Sequence, residues 1–398
     1  MGNIHKILVF SCLIVIVLQG CSVKWTEAIG YGSVSSGNTT EVVAIEIQKK
    51  LIIVPITIGK KEYRFLFDTG APFSISNQIQ KDENFKIVSK GNIVDSDYNK
   101  KKVNWVQVDS IGIGKVLFSN QTAFVGDFDA NPIIKCLEID GIIGSNLIRN
   151  YNWTIDQKQN SLSLSDIIEI DTFKESVVIP FKTDYQYNIF IDAYFGQTKL
   201  KNILVDYGSN GSIALNDEIF SALKEKNIIG ETFIERGVNQ SGIIGKPVGL
   251  NREITYSDSV RTNGLQHKNV IIRTGKTVSI GNDFLSRFNV TIDWINKKLY
   301  LSKYGKEVDS VGSAGFRLGY TIDKGVYIQS VMEKSDAYYK GVRPNMRVVK
   351  IDSLDFERGN SFCDYVDHEP GDEILLGLVD SKGQRIEYLI IKTFFKNN

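Results

Sequence analysis

Histidine is nearly missing from this chain of 398 residues, which holds three, one of them His5 near the N-terminus. The other two, His267 and His368, lie far apart and neither has a second metal-binding side chain at a recognised spacing. A zinc centre or a Ser-His-Asp relay is therefore a poor fit. Cysteine is also scarce, with Cys12, Cys21, Cys136 and Cys363, so no disulfide framework defines the fold. Neither sign of charge dominates: 47 basic residues face 46 acidic ones, which leaves no broad electrostatic footprint for nucleic acid. The length supports two or three domains and a sizeable core.

The N-terminus has the marks of an export leader. Lys6 precedes an apolar run from Ile7 to Leu18, too short to span a bilayer comfortably. The run ends in Leu18-Gln19-Gly20-Cys21, which resembles a bacterial lipobox. That resemblance implies a signal peptide over 1–20, lipidation of Cys21, attachment to a membrane through the lipid, and a place in the bacterial cell envelope facing the periplasm or the exterior. Residues 21–41, rich in glycine, serine and threonine from Gly30 to Thr40, read as a flexible tether. With Cys12 in the leader, Cys136 and Cys363 remain, either as one bridge or as two free thiols.

What the chain does have is an internal repeat. Phe65-Leu66-Phe67-Asp68-Thr69-Gly70-Ala71 and Ile203-Leu204-Val205-Asp206-Tyr207-Gly208-Ser209 each run an apolar strand into an aspartate and turn at once on glycine. Gly141-Ile142-Ile143-Gly144 follows the first and Val278-Ser279-Ile280-Gly281 the second, with 76 residues from Asp68 to Gly144 and 75 from Asp206 to Gly281. Asn152 to Asp156 matches Asn289 to Asp293, and each copy closes on a strand, at Leu162 to Ser165 and Leu299 to Ser302. Four landmarks in register over segments this long indicate a duplicated β lobe. Few helices are expected; one is read at Asn216 to Lys226, with a capping start and apolar Ile219, Phe220 and Leu223.

These paired motifs resemble the pepsin/retropepsin-like aspartic proteases, and the wider layout resembles two-lobed bacterial members with a C-terminal PDZ domain. The resemblance implies a mainly β fold with lobes at 42–168 and 169–303 and a PDZ domain at 310–396. It implies an endopeptidase in which Asp68 and Asp206 share one proton and activate water on a peptide substrate, the alternatives being a catalytically weak or inactive peptide-binding lipoprotein and a PDZ-based envelope scaffold. Thr69, Gly70, Ala71, Tyr207, Gly208 and Ser209 would hold or tune the pair, with Gly144 and Gly281 packed beneath. No metal or organic cofactor is implied. Two departures stand out. Tyr207 replaces a small hydroxyl residue whose side chain normally crosses the lobe junction, and Ala71 lacks the hydroxyl that Ser209 keeps. The loss of that hydroxyl predicts a less acidic activity optimum.

The resemblance also implies a flap between about Ile87 and Val108, with Tyr98 and Trp105 as candidates to face the cleft, or else core or surface residues. Asp140, Asp156 and Asp293 read as structural, and Gly242 to Pro247 as a loop without phosphate-binding spacing. In the PDZ-like region, the edge at Leu318, Gly319 and Tyr320 would accept the C-terminal peptide of a partner by strand addition, the alternative being a domain that braces the second lobe.

Overall fold

The computed structural model describes residues 23–35, 40–168, 176–258, 260–303, 311–380 and 382–395. The leader and Cys21 lie outside these residues. The described chain is mainly β, as its many short apolar runs bounded by glycine and asparagine turns require.

Each lobe is built around the same strand exchange. Gly141–Ile143 inserts between the strand entering Asp68 and the strand leaving it, parallel to Phe65–Phe67 and antiparallel to Ser74–Ile75. In the second lobe Ser279–Ile280 runs parallel to Leu204–Val205 and antiparallel to Ile213–Ala214. The backbone continues this insertion, with Asp68 N–H donating to Ile143 O at 3.0 Å and Asp206 N–H to Ile280 O at 2.9 Å. Both aspartates are thus clamped at the ends of buried strands, where hydrogen-bonded neighbours fix the backbone.

A six-stranded sheet joins the lobes, in the order 177–180, 298–303, 288–293, 152–156, 161–165 and 40–44. At its centre Trp153 pairs with Ile292 and Thr154 with Thr291, whose hydroxyls lie 2.8 Å apart. Asp156 and Asp293 close the turns at the strand ends by accepting backbone N–H groups from Lys158, Gln159 and Asn296. Asp140 likewise accepts from Arg64 N–H at 2.9 Å. All three are structural carboxylates.

The second lobe and the C-terminal module share one sixteen-stranded sheet. Phe233–Asn239 pairs with Gly325–Met332 through Glu235↔Met332, Arg236↔Val331 and Gly237↔Ser330. Gly237 has φ +146°, and a Cβ there would lie 2.2 Å from Gln329 O, so only glycine lets the strands approach. The expected helix forms as Asp217–Glu225, capped by Asn216 accepting from Ile219 N–H at 2.9 Å, with Phe220 and Leu223 buried.

The flexible tether needs correction. Residues 25–28 are helical, Ser33–Val34 pairs with Phe118–Ser119, and Ala28 and Ile29 are buried. Trp25 stacks on Trp105 at 4.9 Å, and Gly30 O accepts from Arg149 Nη2 at 2.6 Å. A half-buried Trp25 and a buried Ile29 suffice to dock this polar segment, because apolar contact outweighs the composition of their neighbours.

Candidate active site

Asp68 and Asp206 stand 138 residues apart in sequence and face each other across the lobe junction. Each carboxylate is oriented first by its own turn: Gly70 N–H donates to Asp68 Oδ1 at 2.7 Å and Gly208 N–H to Asp206 Oδ1 at 3.0 Å. Each then lies against the glycine of the opposite turn. A Cβ on Gly208 would sit 2.2 Å from Asp68 Oδ2, and one on Gly70 would sit 3.0 Å from Asp206 Oδ1. The crossed approach needs the absence of a side chain at Gly208 and leaves little room for one at Gly70.

Thr69 supplies the side-chain bond across the junction. Its hydroxyl donates to Val205 O at 2.5 Å and accepts from Tyr207 N–H at 3.2 Å. Both contacts on the second lobe are backbone atoms, so the identity of residue 207 does not affect them. The Tyr207 side chain turns the other way, fully buried and edge-on to Phe67 at 5.5 Å and 77°. Its carbonyl accepts from Asn282 Nδ2 at 2.7 Å. The phenol thus enlarges the core beneath the turn and stays out of the gap between the carboxylates.

The turns rest on matching supports. Ser145 N–H donates to Ala71 O at 2.8 Å, and Asn282 N–H to Ser209 O at 2.7 Å. Added Cβ atoms would lie 2.0 Å from Phe73 N at Gly144 and 2.5 Å from Gly211 O at Gly281, so both glycines are fixed by contact. The Ser209 hydroxyl accepts from Gly211 N–H at 3.3 Å, and it is the Ser209 backbone that reaches Asp206. Ser209 thus meets Asp206 through its backbone amide, while its hydroxyl bonds within the loop.

Asp68 is 8% exposed. Burial pushes its carboxyl up to about 6, opposed by the amides of Gly70, Gly208 and Ala71. Asp206 rises to about 8, through burial and the charge on Asp68, opposed chiefly by the Gly208 amide and Arg273. Between those values the pair holds one proton. Such a pair can deprotonate a water through one oxygen and donate a hydrogen bond to a carbonyl through another.

Residues 54–147 match the family model for aspartyl proteases. The match spans the Asp68 turn and Gly144, and a mainly β chain is consistent with an aspartyl protease fold. No curated protein matches the chain. The aspartyl protease match stops short of Asp206, so the second half of the site rests on the repeat and on the geometry just described.

The flap region forms a hairpin, Lys86–Val94 with Lys100–Ile113. Tyr98 is at its exposed tip and donates to Lys276 O at 3.0 Å, whereas Trp105 is fully buried. A feature missed in the sequence is the second-lobe hairpin, Phe233–Asn239 with Val248–Ser257, whose 240–247 loop meets this tip. Asp97 Oδ2 accepts from Ser241 N–H at 2.9 Å and Gly242 N–H at 3.1 Å, and Asp95 Oδ2 from Ile244 N–H at 3.3 Å. The duplication itself was the available signal, since a hairpin in one lobe implies a counterpart in the other.

At the C-terminal edge, Leu318, Gly319 and Tyr320 lie in the strand Phe316–Thr321. They line a small pocket together with Asn131, Pro132 and Ile133 of the first lobe and Phe362. The Leu318 amide bonds the half-buried Tyr365 phenol. Cys136, in the first-lobe helix Pro132–Cys136, forms a disulfide with Cys363 in the helix Phe362–Asp367. First-lobe chain therefore flanks the edge expected to receive a partner's tail, and of the two states open to these cysteines the bridge is the one present.

Proposed function

We propose that the chain is an aspartic endopeptidase in which Asp68 and Asp206 activate water against the peptide bonds of protein substrates. The observation that carries this reading is the crossed approach of each carboxylate to the other turn's glycine. The ionised member takes a proton from water while the protonated member polarises the scissile carbonyl. Thr69 positions the two turns, and burial keeps the shared proton in place at neutral pH. The aspartyl protease match over residues 54–147 supports the same chemistry.

The protein is read as exported and lipid-anchored through Cys21 in a bacterial envelope. An oxidised Cys136–Cys363 pair suits such a compartment. The C-terminal module, a PDZ-like unit by sequence, acts as a brace that ties the first lobe to the second, a role supported by the shared sheet and the disulfide.

The test is cleavage of a mixed peptide library by purified protein, with Asp68→Asn and Asp206→Asn as controls. Cleavage lost in both variants is expected; cleavage surviving in either would overturn the dyad. For the anchor, fatty-acid labelling should disappear in Cys21→Ala.

A further inference from the structure

A row of charge runs from the Asp206 loop into the C-terminal module and does not balance. Arg273 on Val270–Thr274 pairs with Ile254 of the neighbouring strand, which puts Arg252, two residues away, on the same face of the sheet. Arg252 pairs in turn with Glu235. Glu235 Oε2 accepts from Arg252 Nε at 2.7 Å, and its Oε1 accepts from Arg317 Nε at 2.7 Å and from the Ser330 hydroxyl. One carboxylate thus serves Arg252 and Arg317, and Arg273 has no ion pair of its own among the described residues.

The free guanidinium is beside the dyad. Arg273 Nη2 lies where a Cβ on Gly211 would be only 2.3 Å away, and Gly211 belongs to the loop that begins at Asp206. Burial and the nearby Arg252 and Arg317 lower Arg273 to about 9, so it stays charged at neutral pH, and Asp206 is among the charges acting on it. A partly buried cation that makes no direct ion pair among the described residues can take an anion.

Resting on the endopeptidase reading, we propose that Arg273 forms an anion-binding subsite on the second-lobe side of the cleft, taking a carboxylate of the peptide substrate. The carboxylate is an acidic side chain a few residues from the cleaved bond or the free C-terminus of a short peptide. A planar guanidinium held against the Gly211 backbone has the geometry for a two-point carboxylate contact.

The test uses the full protein and peptides in which glutamate or glutamine is walked through each position around the cleaved bond, with free and amidated C-termini. At one position glutamate should raise kcat/KM about 10- to 100-fold over glutamine, and salt should reduce that ratio. A preference seen only between free and amidated ends assigns the anion to the chain terminus. The ratio should fall to about one in Arg273→Gln and persist in part in Arg273→Lys, with thermal melts showing both variants folded. Equal rates for every matched pair, or a ratio unchanged in Arg273→Gln, would overturn the proposal. Should the wild type cleave nothing, anisotropy with the same peptides on Asp68→Asn reads the subsite alone: tighter binding of the acidic member supports it, equal binding refutes it.

Discussion

Gly208 of the second lobe lies so close to the Asp68 carboxylate of the first that an added methyl would sit 2.2 Å from Oδ2. The reciprocal contact, Gly70 to Asp206 Oδ1, is looser at 3.0 Å. The two turns are therefore related by a pseudo-symmetry that is imperfect at the dyad. Gly208→Ala should cost at least about 100-fold in kcat/KM, because a displacement of about 1 Å at reacting groups has that effect. Gly70→Ala should cost less. Equal losses in the two variants, measured with one peptide substrate, would show that the carboxylates are not arranged this way.

The pH dependence follows from the raised carboxyls. The singly protonated dyad is populated between about 6 and about 8, so activity should trace a bell centred near neutrality. A profile that peaks in strong acid would refute it. Stability has the opposite sense from an ordinary ion-paired aspartate. The native Asp206 keeps its proton to about 8 while the unfolded one loses it near its usual value of 3.8. The stabilisation from that proton is present at low pH and is lost as pH rises between those values. Asp206→Asn has no such proton to lose, so it should gain stability over wild type across that window, as read by urea midpoints at several pH values.

Thr69 and Tyr207 should behave differently. Removing the Thr69 hydroxyl in Thr69→Val breaks bonds to Val205 O and Tyr207 N–H and leaves buried backbone groups unpaired. A loss of about 1–3 kcal/mol is expected, with activity falling too, and Thr69→Ser should keep most of both. Tyr207→Thr should not improve the enzyme. It empties the space against Phe67 and costs about 3–5 kcal/mol, the range for removing a large buried aromatic side chain. Chemical denaturation of the purified variants distinguishes these outcomes.

The Cys136–Cys363 bridge closes a loop of 227 residues between the first lobe and the C-terminal module. Cys136→Ser and Cys363→Ser should each lose about 2–4 kcal/mol. Reduction of the wild type should reproduce that loss and have no further effect on either variant. Denaturant midpoints with and without reductant decide it.

Glu235 is buried between Arg252 and Arg317. Burial pushes its carboxyl up, but the two guanidiniums outweigh burial and hold it at about 2, below its usual 4.5. Its stabilisation is present above that usual value and lost as pH falls toward 2. Glu235→Gln strands two cations and should cost about 3–5 kcal/mol at neutral pH. It should also separate the second-lobe hairpin from the C-terminal module, visible as faster amide exchange across Glu235↔Met332.

Much of this protein is written locally. Two apolar runs ending in Asp-x-Gly, each followed by an apolar-Gly segment at almost the same interval, determine the duplicated β lobes and nominate Asp68 and Asp206, because strand periodicity and turn chemistry are properties of short segments. The helix at Asp217–Glu225 was legible for the same reason, since its asparagine cap and apolar spacing lie within one stretch of chain. Tertiary structure decided what depends on distant partners. It turned Tyr207 into the core, docked Trp25 on Trp105, and set first-lobe chain against the Leu318 edge. It also set Arg273 beside Gly211, while the Glu235 carboxylate in the same row of charge is engaged by two other cations. Packing and charge balance are sums over neighbours in space, and no local pattern carries them.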